Sequence, residues 1–153
     1  MIKINVLSEE KSWAKKIKKK QELFDNICRN FPKNFRFLNK KAYLTLLLSN
    51  NKRIKDLNRK FRNKNKYTDI LSFPSNKKLK ISKQTYLGDI IISFNYMNKP
   101  KSQTDKHFKE KIIKTFIHGF LHLLGFDHVK NKDYLKMLKE EEKIYKSVIS
   151  KIK

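Results

Sequence analysis

Residues His118–His128 read HGFLHLLGFDH, and the fold can be worked out from this stretch. A long apolar helix starts after Pro100 and is expected to run to about Leu124. Gly125 is well placed to end it, because the residue following a helix often needs a positive φ. His118 and His122, four residues apart, project from one helical face. The chain turns back at Gly125, and His128 can then close on the same point.

Shorter elements precede this helix. IKINVL, Ile2–Leu7, alternates as a first strand does, and this is not the pattern of a signal or transit peptide. Residues from about Lys11 to Asn30 are expected to form one amphipathic helix, with Trp13, Ile17, Phe24, Ile27 and Cys28 on its apolar side. AYLTLLLS (Ala42–Ser49) reads as a buried strand, and Ser49 or Asn50 can cap the short helix after it. TDILSFP (Thr68–Pro74) and YLGDIIISF (Tyr86–Phe94) are the remaining strands, joined by the basic loop NKKLKISKQ (Asn76–Gln84). Ser102 and Asp105 have capping-box spacing ahead of the apolar helix. A last helix covers about Asp133 to Ile149, with Tyr134, Leu138, Ile144, Val148 and Ile149 among its apolar positions. This order predicts an α+β chain in which residues 1–153 form a single domain. A small mixed sheet of about four strands is packed by helices, and the metal-site helix falls in the C-terminal half.

The chain has 153 residues, of which 39% are apolar, enough for a real core. It has 3 Gly and 3 Pro, so no long flexible linker is expected. Its 1 Cys, Cys28, allows no internal disulfide and points to a reducing compartment. No apolar run approaches the ~20 residues of a membrane span, so no membrane association is expected. The net charge is +24. Lys and Arg at this excess suit a nucleic-acid partner. A lysine-rich composition is also what an AT-rich genome produces, and the charge is spread too widely to locate a site.

Three neutral imidazoles about one centre, with a fourth position open, match a catalytic zinc site. Nickel, copper and iron are compatible with the same ligands. The spacing His-x-x-x-His-x-x-Gly-x-x-His is shared with metzincin peptidases, but those carry Glu after the first His, where this chain has Gly119. A standard peptidase is therefore disfavoured, and the glycine leaves room for a bulky substrate backbone. Asp127 either accepts from an imidazole N–H or fixes the turn. His107 reads as a surface residue.

HGFLHLLGFDH closely resembles the His-Gly-x-Leu-His-Leu-x-Gly-Tyr-Asp-His signature of the YbeY family, bacterial and organellar metal-dependent endoribonucleases that mature ribosomal RNA. LNRKFRNKNKYTDILSFP (Leu57–Pro74) resembles a second family block, and LGDIIIS (Leu87–Ser93) a third, in the same order. The resemblance implies that His118, His122 and His128 bind one zinc ion and that Arg62 is the functional arginine, with Asn58 and Asp69 in the same block. It implies a cytoplasmic, single-strand-specific endoribonuclease acting at the 3′ end of small-subunit ribosomal RNA and in ribosome quality control. The implied partners are ribosomal RNA, the small ribosomal subunit with its proteins, and a ribosome-associated GTPase. The chain departs from the family pattern at Phe61 and Phe126, where Tyr is usual, and at Tyr67, where Pro is common. Lys114 also stands where some members carry another His.

A bound zinc ion suits phosphodiester cleavage, and a guanidinium at Arg62 can clamp a phosphate bidentately. Without the family pattern, Arg62 is one solvated cation among several. Asp69 and Asp89 read as strand-end caps or turn fixtures. The rival readings are a zinc hydrolase of another substrate class, peptides included, and a non-enzymatic ribosome-assembly factor with structural zinc. The second needs a fourth ligand, from Asp127 or Cys28. A cleft is expected between the Gly88–Ser93 strand, the Arg62 region and the metal helix.

Overall fold

The computed structural model describes residues 1–76 and 81–152. The fold is α+β. The strands are β1 (Ile2–Ser8), β2 (Lys41–Ser49), β3 (Ile70–Pro74) and β4 (Gln84–Ser93). They form one sheet in the order β1-β2-β4-β3. β1, β2 and β4 run parallel, and β3 lies antiparallel on the outside of β4. The helices are α1 (Trp13–Lys16), α2 (Lys20–Arg29), α3 (Asn51–Arg62), α4 (Phe94–Met97), α5 (Asp105–Leu123) and α6 (Asn131–Ile149).

Side chains alternate across a strand, and the sheet uses both faces. Leu44, Leu46 and Leu48 of β2, with Ile90 and Ile92 of β4, enter the main core under α2, α5 and α6. Leu47 and Ile91, between them in sequence, point the other way and pack with Ile54 of α3. Aromatic contacts hold α5 in the main core: Phe24 meets Phe116 at 5.2 Å between ring centroids, and Phe31 meets Phe120 at 4.9 Å. α5 therefore lies between the sheet and α6, buried on most of its circumference.

Several expectations shift in detail. The helix expected over Lys11–Asn30 is two helices, with Ile17 extended between them (φ −131°). KKIKKK (Lys15–Lys20) puts like charges three and four residues apart, which opposes a continuous helix. Trp13 is instead anchored by its indole N–H, which donates to Ser49 O at 2.9 Å. Asn50, not Ser49, caps α3, accepting from Arg53 N at 3.0 Å. Thr104, not Ser102, caps α5, accepting from His107 N at 3.1 Å. Ser102 lies in a turn closed by Gln103 N donating to Pro100 O at 3.1 Å. In α6, Tyr134 and Leu138 are exposed, and Met137, Ile144 and Val148 make the buried stripe. Of the loop Asn76–Gln84, residues 77–80 lie outside those described, and Gln84 already belongs to β4.

Two glycines let β3 close on its neighbours. Gly88 follows a bulge at Leu87, where Tyr43 pairs with Tyr86 but Leu44 pairs with Gly88. Its φ is +138°, and a Cβ there would overlap Phe73 O of β3 and come within 2.9 Å of Leu123 Cδ2. A Cβ on Gly119 of α5 would stand 2.5 Å from Ile70 Cδ1 and 3.0 Å from Ser72 Oγ. β3 thus crosses α5 where the helix has no side chain. The expected room for a substrate at Gly119 is filled by the protein's own strand. Gly88→Ala combines a strained φ with a backbone clash and is expected to cost ~2–4 kcal/mol. The midpoint of urea unfolding against wild type measures it.

A histidine triad facing a basic cleft

α5 ends where the histidines need it to. Leu124 caps the helix, Gly125 takes φ +96°, and Phe126 N reaches back to donate to Leu121 O at 3.1 Å. This reversal brings His128 over His118 and His122. Ring centroids lie 4.6 Å apart for His118–His122, 5.0 Å for His122–His128 and 5.5 Å for His118–His128. One nitrogen from each ring falls within 4.8 Å of the others.

The outer nitrogens decide what the inner ones offer. His122 Nδ1 faces Phe126 O at 2.9 Å, and His118 Nδ1 faces Glu141 Oε1 of α6. A carbonyl and a carboxylate both accept, so each Nδ1 carries hydrogen and donates. Both Nε2 lone pairs then turn to one point, where they stand 3.0 Å apart. Two lone pairs at that distance repel unless a cation lies against them. Two nitrogens bound to one tetrahedral zinc at ~2.0–2.1 Å lie ~3.4 Å apart, so the pair needs little adjustment. Burial, and then the neighbouring His118 ring, push the His122 pKa below the ordinary imidazole value. That keeps the ring in the neutral form a metal requires. The three histidines can hold a metal ion.

The opposite wall is basic. Arg62, at the end of α3, donates from Nη2 to Ser72 O at 2.8 Å, and its guanidinium carbon lies 5.5 Å from the centre of the Phe73 ring. Ser72 in turn donates from Oγ to Gly119 O at 3.1 Å, tying this wall to the metal helix. The chain leaves α3 through Asn63 at φ +54°, a left-handed conformation that Asn tolerates. Asn58, 2% exposed, donates to Lys66 O at 3.1 Å and fixes the following loop. Arg62, Lys64 and Lys66 line one cavity of about 510 Å³ with all three histidines.

Arg62 and the histidines therefore share a cleft, as expected. Its strand wall, however, is β3 (Ile70–Pro74) and not Gly88–Ser93. β3 pairs outside β4, so β4 lies one strand further in. Asp127 fixes the turn, accepting from His128 N at 2.7 Å. Asp69 accepts from Ile70 N at 2.8 Å and also lines the cleft. Asp89 accepts from the Tyr86 hydroxyl, away from the cleft. Cys28 is buried in the main core, where desolvation pushes its thiol pKa up, and His107 is exposed. Neither Asp127 nor Cys28 joins the three histidines among the described residues. Lys114 lies 4.8 Å from the Tyr145 ring centre. Glu141 was not legible in the sequence. It sits in the run Glu140–Glu142, and only the packing of α6 on α5 selects it.

Residues 5–149 match the family model of the endoribonuclease YbeY. The endoribonuclease YbeY of Pelagibacter ubique is 57% identical over 152 residues, 99% of both chains. That of Ehrlichia canis is 34% identical over 133 residues, 87% of this chain and 83% of its own. A Thermotoga maritima protein solved in solution shares the fold at TM-score 0.56 and 23% identity, covering 97% of this chain and 90% of its own.

Glu141→Ala removes the acceptor that orients His118. It is expected to weaken metal binding ~10–100-fold, the usual cost of losing a ligand's supporting partner. Competition with a chromogenic chelator checks it, with unfolding midpoints showing that α6 still packs.

Proposed function

This chain belongs to the YbeY endoribonuclease family, and from that premise we propose that it is a zinc-dependent, single-strand-specific endoribonuclease of ribosomal RNA. The observation that carries this reading is the shared cleft. Three imidazole nitrogens within 4.8 Å of one another line it together with Arg62 and two lysines. His118, His122 and His128 hold the ion, and imidazole ligands favour zinc. Bound there, zinc lowers the pKa of a water to ~7 and polarises a phosphoryl oxygen.

The chain's own groups do the rest. Glu141 and Phe126 O hold two imidazoles in the tautomer that points Nε2 inward. Arg62 has one N–H committed to Ser72 O and keeps further donors for a phosphate. Phe73 supports the guanidinium plane, which suits it to stabilise charge developing on phosphate oxygens. Lys64 and Lys66 neutralise neighbouring phosphates. The sequence carries no RNA-recognition or KH signature, so selection of the 3′ end of small-subunit RNA is assigned to RNA shape and to the small ribosomal subunit as a platform in the cytoplasm. Ribosomal proteins and a ribosome-associated GTPase complete that setting, with a role in ribosome quality control. The peptidase alternative is disfavoured at Gly119, where β3 fills the place a glutamate base would need.

Metal analysis combined with cleavage of a defined precursor RNA fragment tests this reading. Replacing all three histidines by Ala is expected to abolish both stoichiometric zinc and cleavage. Full zinc retained in that variant overturns the site.

Arg62→Ala is expected to slow single-turnover cleavage by ~30–1,000-fold, equivalent to ~2–4 kcal/mol for one preorganised donor. Its stability should fall by only ~1 kcal/mol, for the lost hydrogen bond to Ser72 O. Arg62→Lys keeps the charge but not the planar fork, and should also cleave slowly. Rates at fixed salt, with zinc content checked, separate this from a diffuse positive surface.

A further inference from the structure

The loop from α3 to β3 has two sides. Lys64, Lys66 and Thr68 line the metal cleft, and Asn65 and Tyr67, between them in sequence, line a second cavity of about 760 Å³. The Lys64–Thr68 segment, a single chain thick, is the partition. The second cavity is within the size range that holds a small organic ligand.

Its walls suit a nucleobase. Tyr67 is 48% exposed, and Lys55 Nζ lies 5.1 Å from the ring centre, bracing it. Asn51 Oδ1 accepts from Ser93 Oγ at 2.6 Å, and Asn95 Oδ1 accepts from Asn51 N at 2.9 Å. With both amide oxygens committed, each side chain is oriented and its NH₂ group remains as a donor. Lys52, Lys55 and Arg59 outnumber Glu10 and Asp56 on the same walls, with Arg59 paired to Asp56 at 3.5 Å, so the balance of charge is positive. An exposed aromatic ring, fixed amide donors and cations are the parts that bind unstacked bases in single-stranded RNA.

We propose that this second cavity is a subsite for a base flanking the cleaved phosphodiester. The base stacks on Tyr67, a carbonyl edge such as that of uracil takes the Asn51 and Asn95 amides, and the backbone crosses the Lys64–Lys66 loop into the metal cleft. The inference rests on the endoribonuclease reading above. It makes single-strandedness a requirement of the protein surface, because a paired base cannot enter the cavity.

The test uses the zinc-loaded protein and a fluorescein-labelled oligodeoxyuridylate, which presents the base on a backbone without the 2′-hydroxyl of RNA. Tyr67→Ala is expected to weaken binding about 5- to 150-fold, the range for loss of one base–aromatic stack. The salt dependence should be unchanged, since no charge is lost. Tyr67→Phe should bind as wild type, and binding of duplex RNA should be the same in all three proteins. In the wild type, an oligonucleotide carrying 5-iodouridine should photocrosslink at Tyr67. That measurement decides alone if Tyr67→Ala loses zinc or thermal stability. Wild-type affinity in Tyr67→Ala, or crosslinks only at other residues, overturns the subsite. If the wild type cleaves RNA and these variants match it, only the subsite fails. If the wild type neither binds the probe nor cleaves RNA, the endoribonuclease reading fails with it.

Discussion

The crossing of β3 over α5 at Gly119 organises everything around the cleft. At that point the metal helix has no side chain, and an edge strand occupies the space. Ser72 seals the contact from Oγ to Gly119 O and, through its own carbonyl, holds Arg62. One residue therefore connects the helix bearing His118 and His122 to the guanidinium on the far wall. Their separation is set by close packing, which resists small displacements. Phosphoryl transfer depends chiefly on positioning and charge stabilisation, so a rigid spacing is the property such a cleft needs.

The second constraint is electrostatic. Nδ1 of His118 and of His122 each face an acceptor, which sends two lone pairs toward one another. Burial lowers the His122 pKa and so opposes relief of that repulsion by protonation of this ring. The protein is thus arranged so that a metal ion is the favourable way to satisfy the pair. The same logic gives Asp127 a backbone role: its carboxylate is used on His128 N, which sets the loop that delivers the third ring.

Local patterns in the chain were legible and long-range packing was not. The i, i+4 histidines and the helix-ending Gly125 follow from helical geometry, and the apolar run in LTLLLS and the β-branched run in GDIIIS identify buried strands. Apolar spacing alone does not reveal the break after Lys16, which the like-charge run Lys15–Lys20 favours. The cap moved from Ser102 to Thr104 because Pro100–Gln103 closes its own turn first. Strand order was the costliest unknown. Nothing in TDILSFP states that it will be the outer strand and so the cleft wall. Glu141 belongs to a run of three equivalent glutamates, and only the docking of α6 distinguishes it.

That docking has a consequence for when the site is completed. Glu141 lies on the final helix, after every other element of the cleft in chain order. The chain leaves the ribosome N-terminus first, so α6 is the last of these elements free to pack. While residue 141 is still inside the translating ribosome, His118 has no carboxylate to fix its tautomer. Until α6 docks, one of the two acceptors that turn the Nε2 lone pairs inward is missing, so the triad gains its full grip on a metal ion last.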